Sequence, residues 1–134
     1  MKYKEVKRHY ESGQIDCHYF ADENDDECGE CRGYHRNGQS WWHFFKRGGL
    51  LYGEVKWFSR DGVVLHHYLM GGEYNDLAIV IDDGRESTHT EEELIEIAKE
   101  RGVPLLSELP KTEEEVTLWN LKYPGMPCLP ISTE

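Results

Sequence analysis

The segment Glu30-Cys31-Arg32-Gly33-Tyr34-His35-Arg36-Asn37-Gly38-Gln39-Ser40-Trp41-Trp42-His43-Phe44-Phe45 has the form of a β-hairpin. Asn37-Gly38 is a tight-turn pair, because glycine takes a positive φ without steric cost. The flanks are rich in aromatic residues, Tyr34 before the turn and Trp41, Trp42, Phe44 and Phe45 after it, the pattern that marks paired strands.

The same frame recurs on both sides. Upstream stands Glu5-Val6-Lys7-Arg8-His9-Tyr10-Glu11-Ser12-Gly13-Gln14-Ile15-Asp16-Cys17-His18-Tyr19-Phe20, and downstream Glu54-Val55-Lys56-Trp57-Phe58-Ser59-Arg60-Asp61-Gly62-Val63-Val64-Leu65-His66-His67-Tyr68-Leu69. The offsets are 25 and 24 residues. Glu5, Glu30 and Glu54 coincide, as do Lys7, Arg32 and Lys56, the turn glycines Gly13, Gly38 and Gly62, and His18, His43 and His67. Further breaks at Gly48-Gly49 and Gly71-Gly72 join one hairpin to the next. A lone hairpin cannot bury a face, so the three copies predict one cooperative antiparallel meander of about six strands.

The succession of aromatic, turn glycine, aromatic and then Gly-Glu (Gly29-Glu30, Gly53-Glu54) resembles the MORN repeat. It is most similar to the bacterial MORN-variant type of antitoxin-like proteins. The resemblance covers roughly residues 5–75. The first copy departs from it, with Lys4-Glu5 in place of Gly-Glu, and the acidic run Asp22-Glu23-Asn24-Asp25-Asp26-Glu27 fills its connector. The resemblance implies a protein-binding, neutralising role. Leucine-rich repeats share the period but need a Leu-x-x-Leu-x-Leu frame that is absent.

Beyond the repeats, residues 77–82 form a short apolar strand candidate closed by Asp83-Gly84. Thr90 and Glu93 form a capping box for a helix with Leu94, Ile95, Ile97 and Ala98 on its apolar side, stopped by Gly102 and Pro104. Thr112 and Glu115 open a second helix, with Val116, Trp119 and Tyr123 in one stripe, Leu118 and Leu121 beside it, and Pro124-Gly125 at its end. The tail Met126–Glu134 is expected to be extended or mobile. The expected fold is therefore α+β. Residues 1–85 form a repeat sheet plus a further strand, and residues 86–134 a helical segment packing on or capping it, as a single compact unit.

The net charge is −11. Residues 1–85 hold eleven basic and fifteen acidic side chains, and residues 86–134 hold four and eleven. Such a chain does not track a phosphate backbone by bulk attraction, so direct nucleic-acid binding is not expected. A protein partner, especially a basic one such as a toxin, nuclease or other host enzyme, fits better. No apolar run is long enough to span a membrane, and Met1-Lys2-Tyr3-Lys4 does not open a signal peptide, so a cytoplasmic location is the default. The four cysteines are then thiols or metal ligands.

Catalytic signatures are missing: there is no Gly-x-Ser-x-Gly elbow, His-Glu-x-x-His pair or phosphate-cradling loop, and neither enzyme activity nor a cofactor is expected. Cys17, Cys28, Cys31 and His35 offer zinc-type ligands, and Cys-x2-Cys is half of such a site. However, Cys31 aligns with Val6 and Val55, and Cys17 with Trp42 and His66, which favours packed thiols over a metal. Equivalent strands two apart lie about 10 Å from each other, too far for His18, His43 and His67 to share one ion.

Trp41-Trp42, Phe44-Phe45 and Trp57-Phe58 are consecutive, so their neighbours point to opposite faces. If helices cover one face, the other exposes large rings. Trp41, Trp42, His43, Phe44, Trp57 and His67, with the acidic Asp22, Glu23, Asp25, Asp26 and Glu27, are accordingly the candidate partner-binding residues of a non-enzymatic module, one able to neutralise or scaffold its partner or to act as a phage or mobile-element inhibitor. The alternative is a small anionic ligand or nucleotide, held by Lys7, Arg32, Lys56, Arg36 and Arg60 on an aromatic-lined face. Pairing of Lys7, Arg32 and Lys56 with Glu5, Glu30 and Glu54 would compete with it.

Overall fold

The computed structural model describes residues 3–72 and 76–128. The part of the tail beyond 128, and residues 73–75 in the last connector, lie outside that range. Seven strands form one antiparallel sheet in strict sequence order: β1 (Lys4–His9), β2 (Ile15–Ala21), β3 (Glu27–Tyr34), β4 (Ser40–Arg47), β5 (Leu50–Phe58), β6 (Val64–Gly71) and β7 (Asp76–Asp82). Helices α1 (Glu91–Arg101) and α2 (Glu113–Lys122) follow, with a 3-10 turn at Leu106–Glu108 between them. The fold is thus α+β, a meander with two C-terminal helices. Among the described residues no helix is long and apolar enough to cross a membrane.

The repeat is reproduced in the register. Lys7 faces His18, Arg32 faces His43 and Lys56 faces His67. The turn glycines Gly13, Gly38 and Gly62 all hold φ near +90° (92°, 88° and 86°). The acidic connector is a tight loop. The Asp22 carboxylate accepts the Asn24 and Asp26 backbone N–H groups, and Asp25 takes φ 63°.

Gly29-Glu30 and Gly53-Glu54 mark the same irregularity in two copies. Between His18 and Phe20, β2 advances two residues while its partners on β3 run from Arg32 to Cys28, four residues. Between His43 and Lys46, β4 advances three while β5 runs from Lys56 to Leu51, five. Each Gly-Glu pair therefore lies in a stretch with two surplus residues, a bulge. Both glycines take positive φ, 72° and 104°. A bulge turns backbone groups out of the ladder, and these must find other partners.

Those partners are two proline carbonyls. The Glu54 N–H donates to the Pro104 oxygen, and the Glu30 N–H to the Pro127 oxygen, each at 2.9 Å. The two prolines sit in matching segments, Gly102-Val103-Pro104-Leu105-Leu106 and Gly125-Met126-Pro127-Cys128-Leu129, each following a helix that opens with Thr-Glu-Glu-Glu (from Thr90 and from Thr112). Gly102 and Gly125 are left-handed (φ 69° and 82°), Val103 and Met126 are buried, and each proline lacks an N–H that would compete for the site. The C-terminal region is therefore itself a twofold repeat of helix and strap. Its first copy docks on the third hairpin and its second copy on the second hairpin.

Packing follows from this docking. Leu69 and Ala78 of the sheet meet Leu94, Ala98, Val103 and Leu105. Phe45 meets Trp119, Tyr123 and Met126. The Trp119 indole N–H also donates to the Met126 carbonyl at 2.7 Å, closing helix α2 onto its own strap. The Val116-Trp119-Tyr123 stripe points inward at Trp119 and Tyr123, while Leu118 (65%) and Leu121 (77%) are exposed. Thr90 and Glu93 form the full capping box. At α2 the Thr112 hydroxyl accepts the Glu115 N–H, but the Glu115 carboxylate accepts from the Lys111 N–H, one residue before the cap.

A methyl group on Gly53 would lie 2.5 Å from the Pro104 oxygen, on a backbone at φ 104°, whereas one on Gly13, at φ 92°, would meet nothing. Gly53→Ala should therefore cost at least about 2 kcal/mol, through strain plus loss of strap docking, and Gly13→Ala about 1 kcal/mol, through strain alone. Urea denaturation of both variants measures the difference.

Candidate functional site

The helices and straps occupy one face of the sheet. On that face each repeat carries a Glu–His pair thirteen residues apart. Glu5 meets His18 (2.6 Å), Glu30 meets His43 (2.8 Å) and Glu54 meets His67 (2.6 Å). The register explains the pairing. His lies opposite the Lys or Arg two residues after the Glu, so the carboxylate reaches it diagonally. The imidazole Nε2–H donates to the carboxylate in each case, since an ionised carboxylate only accepts.

Lys7, Arg32 and Lys56, proposed as ligand cations, stand beside these carboxylates. Arg32 is bonded to Glu30 at 2.5 Å and Lys7 lies 4.0 Å from Glu5. Lys56 adds to the field that favours ionised Glu54. They belong to the repeat's own charge ladder. His43 and His67 must likewise be taken out of the partner-binding set. His67 is buried against Glu54, and His43 is held on Glu30, on the helix side of the sheet.

Glu54 is the most committed of these groups. One oxygen takes His67, and the other accepts the Leu106 N–H of the strap at 2.8 Å. Burial pushes its carboxyl up, but the bonds from His67 and Leu106 outweigh that and hold it below the ordinary value. A carboxyl depressed in the folded state stabilises the fold above its unfolded value, and that contribution is lost as pH falls through the folded value.

The opposite face carries a different cluster. Cys31, Phe44, Val55 and Met70 are buried there, ringed by Tyr19, Trp42, Leu51, Trp57 and Tyr68, and none of the described residues of the C-terminal segment joins them. The Trp42 and Phe44 rings stack at 4.9 Å, and Trp57 leans on both at 6.3 and 6.2 Å. Gly33, opposite Trp42 in the register, makes this possible: the indole lies where a Cβ would be, 2.0 Å away. The cluster borders a groove of about 540 Å³ lined by Trp42, Phe44, Leu51, Trp57 and Met70, with the Glu27–Lys46 ion pair at its rim. Three of the proposed partner-binding rings, Trp42, Phe44 and Trp57, thus converge on one open apolar surface.

The remaining candidates separate. Trp41, 39% exposed, stacks on His35 at the hairpin-turn end, beside Arg36 and Arg60. In the connector, Asp22 is spent on backbone N–H groups, Glu27 pairs with Lys46, and Glu23, Asp25 and Asp26 are exposed. Of the cysteines, Cys31 lies in the aromatic cluster while Cys28 faces Phe20 across the bulge. Burial pushes the Cys28 thiol up to about 11, and the Cys31 thiol higher still. His35 is turned to the Phe58 carbonyl. Among the described residues no three His, Cys, Asp or Glu side chains gather as a metal site.

Strand pattern alone missed the proline straps. Their signal was the recurrence of Gly, an apolar residue, Pro, any residue and Leu after each Thr-Glu-Glu-Glu helix. No protein-family model, curated protein or solved structure matches the chain.

Glu54→Gln should destabilise the fold at neutral pH. Its deficit relative to the parent should shrink as pH drops below the ordinary glutamate value of 4.5, because the parent then loses the same carboxylate. Thermal unfolding of both proteins across pH 7 to about 3 follows that closing gap.

Proposed function

We propose that the chain is a non-enzymatic protein-binding module that engages its partner through the open sheet face. One observation carries this: the helices and straps pack on one face, while on the other Trp42, Phe44, Trp57, Leu51 and Met70 border a groove that none of the described residues of the C-terminal segment covers. Closely packed aromatic rings beside a small ion pair have the composition of an interface centre with a polar rim. Among the described residues the charged groups lining the groove are Glu27 and Lys46, which pair with each other, and this supports a binding surface over a reaction site. Occlusion of a partner's surface by this face is how the neutralising role implied by the MORN-variant resemblance would be carried out. A basic partner is favoured by the net charge of −11, and the cytoplasm is the compartment in which such a role is placed.

Leu51→Asp puts a charge into the groove and should abolish capture of a specific partner from lysate of the source cell, while Leu118→Asp on the exposed side of α2 should leave it intact. Both variants should keep the parent's circular dichroism. Capture unaffected by Leu51→Asp, or lost with Leu118→Asp, would overturn the assignment of this face.

A further inference from the structure

A second cavity lies at the hairpin-turn end, separate from the groove and sharing none of its lining residues. It encloses about 390 Å³ and is lined by Tyr10, His35, Arg36, Trp41 and Arg60. All three hairpins supply it. Tyr10 and the Arg36 segment come from the turns of the first two hairpins, Trp41 from β4, and Arg60 from the turn of the third.

Its chemistry differs from that of the rest of the surface. The chain carries a net charge of −11, yet two arginines line this one cavity, and neither Arg36 nor Arg60 has an ion-pair partner among the described residues. Arg36 lies 4.9 Å over the Tyr10 ring, which fixes its guanidinium by cation–π attraction and leaves its N–H fork unspent. The Asn37 side chain donates to the Arg60 carbonyl at 3.1 Å, tying the two turns together. Guanidinium groups match phosphate oxygens in bidentate geometry.

The ring groups are set up for a planar heterocycle. Trp41 is 39% exposed, stacked on His35 at 4.9 Å and set edge-to-face with Trp57 at 6.4 Å. The His35 Nε2 faces the Phe58 carbonyl at 2.8 Å, so it must carry the proton, and in the neutral ring Nδ1 is then an acceptor. Tyr10 donates its hydroxyl proton to the Tyr34 carbonyl at 2.6 Å, with the Asp16 carboxylate beside it. The pocket thus presents an aromatic plate, an imidazole acceptor for a ring N–H or amino group, and two arginines for an anion.

We infer that this cavity binds a nucleoside monophosphate, with the base stacked on Trp41 and the phosphate held by Arg36 and Arg60. A single nucleotide suits it better than a polynucleotide, because two arginines neutralise one phosphate, whereas the chain's overall acidity repels a long phosphate backbone. The site does not depend on the proposed protein-binding role, and either can stand without the other.

The test is titration of the full chain with AMP, GMP, CMP and UMP, and with inorganic phosphate, by calorimetry and tryptophan fluorescence. At least one nucleotide should saturate below about 1 mM. The double variant R36Q/R60Q should weaken it at least about tenfold, as should Trp41→Leu. Both arginines are exposed, so the double variant should keep the parent's melting temperature. Absence of saturation by all four nucleotides overturns the inference. So does binding that survives R36Q/R60Q, or phosphate binding as tight as the nucleotide.

Discussion

The structure depends on a backbone donor that the sheet itself cannot satisfy. Where each Gly-Glu pair bulges out of its strand, the glutamate N–H turns away from the neighbouring strand. A buried, unpaired N–H costs about 1–3 kcal/mol, so the bulge is tolerable only if another acceptor arrives. A proline carbonyl arrives in both cases, 2.9 Å away, and it can approach because the preceding residue is glycine. The same glutamates hold the histidines of the next strand, and Glu54 also takes the strap's Leu106 N–H. One dipeptide therefore joins strand to strand and sheet to helix.

The two-faced character of the molecule follows. Both straps dock on the glutamate side, bringing Leu94, Val103, Trp119 and Met126 onto that side and no other. Among the described residues no strap lies on the opposite side, where the rings are buried against one another, Trp42 lying flat over Gly33 and stacked on Phe44. One face thus holds paired polar groups, and the other an apolar groove. Of the molecule's buried ionisable groups, Glu30 and Glu54 are paired with His43 and His67.

Much of this was legible in the chain. Turn pairs such as Asn37-Gly38 and the alignment of Glu, Lys or Arg, Gly and His in three copies specify the meander, because those residues have local causes: positive φ, alternation and diagonal pairing. The capping threonines announce both helices for the same reason. The distribution of the candidate site was less legible. Consecutive aromatics show that rings go to both faces, but not which face the helices take. That choice rests on the contacts Glu54 N–H to Pro104 and Glu30 N–H to Pro127, between residues 50 and 97 positions apart. His43 and His67 were misplaced on the partner face for this reason, since strand parity puts them with the glutamates once the covered face is known. The acidic connector, too, looked like a contact site, but part of its charge is consumed by loop closure at Asp22.

With the covered face assigned by two hydrogen bonds, those bonds are where the account is most exposed. Amide hydrogen exchange of Glu30 and Glu54 in the folded protein measures them directly. Protection of both, comparable to central-strand amides such as those of Phe44 and Val55, is the predicted result. Exchange as fast as the exposed connector amide of Glu23 would contradict the docking of the straps and, with it, the assignment of the aromatic face as the open one.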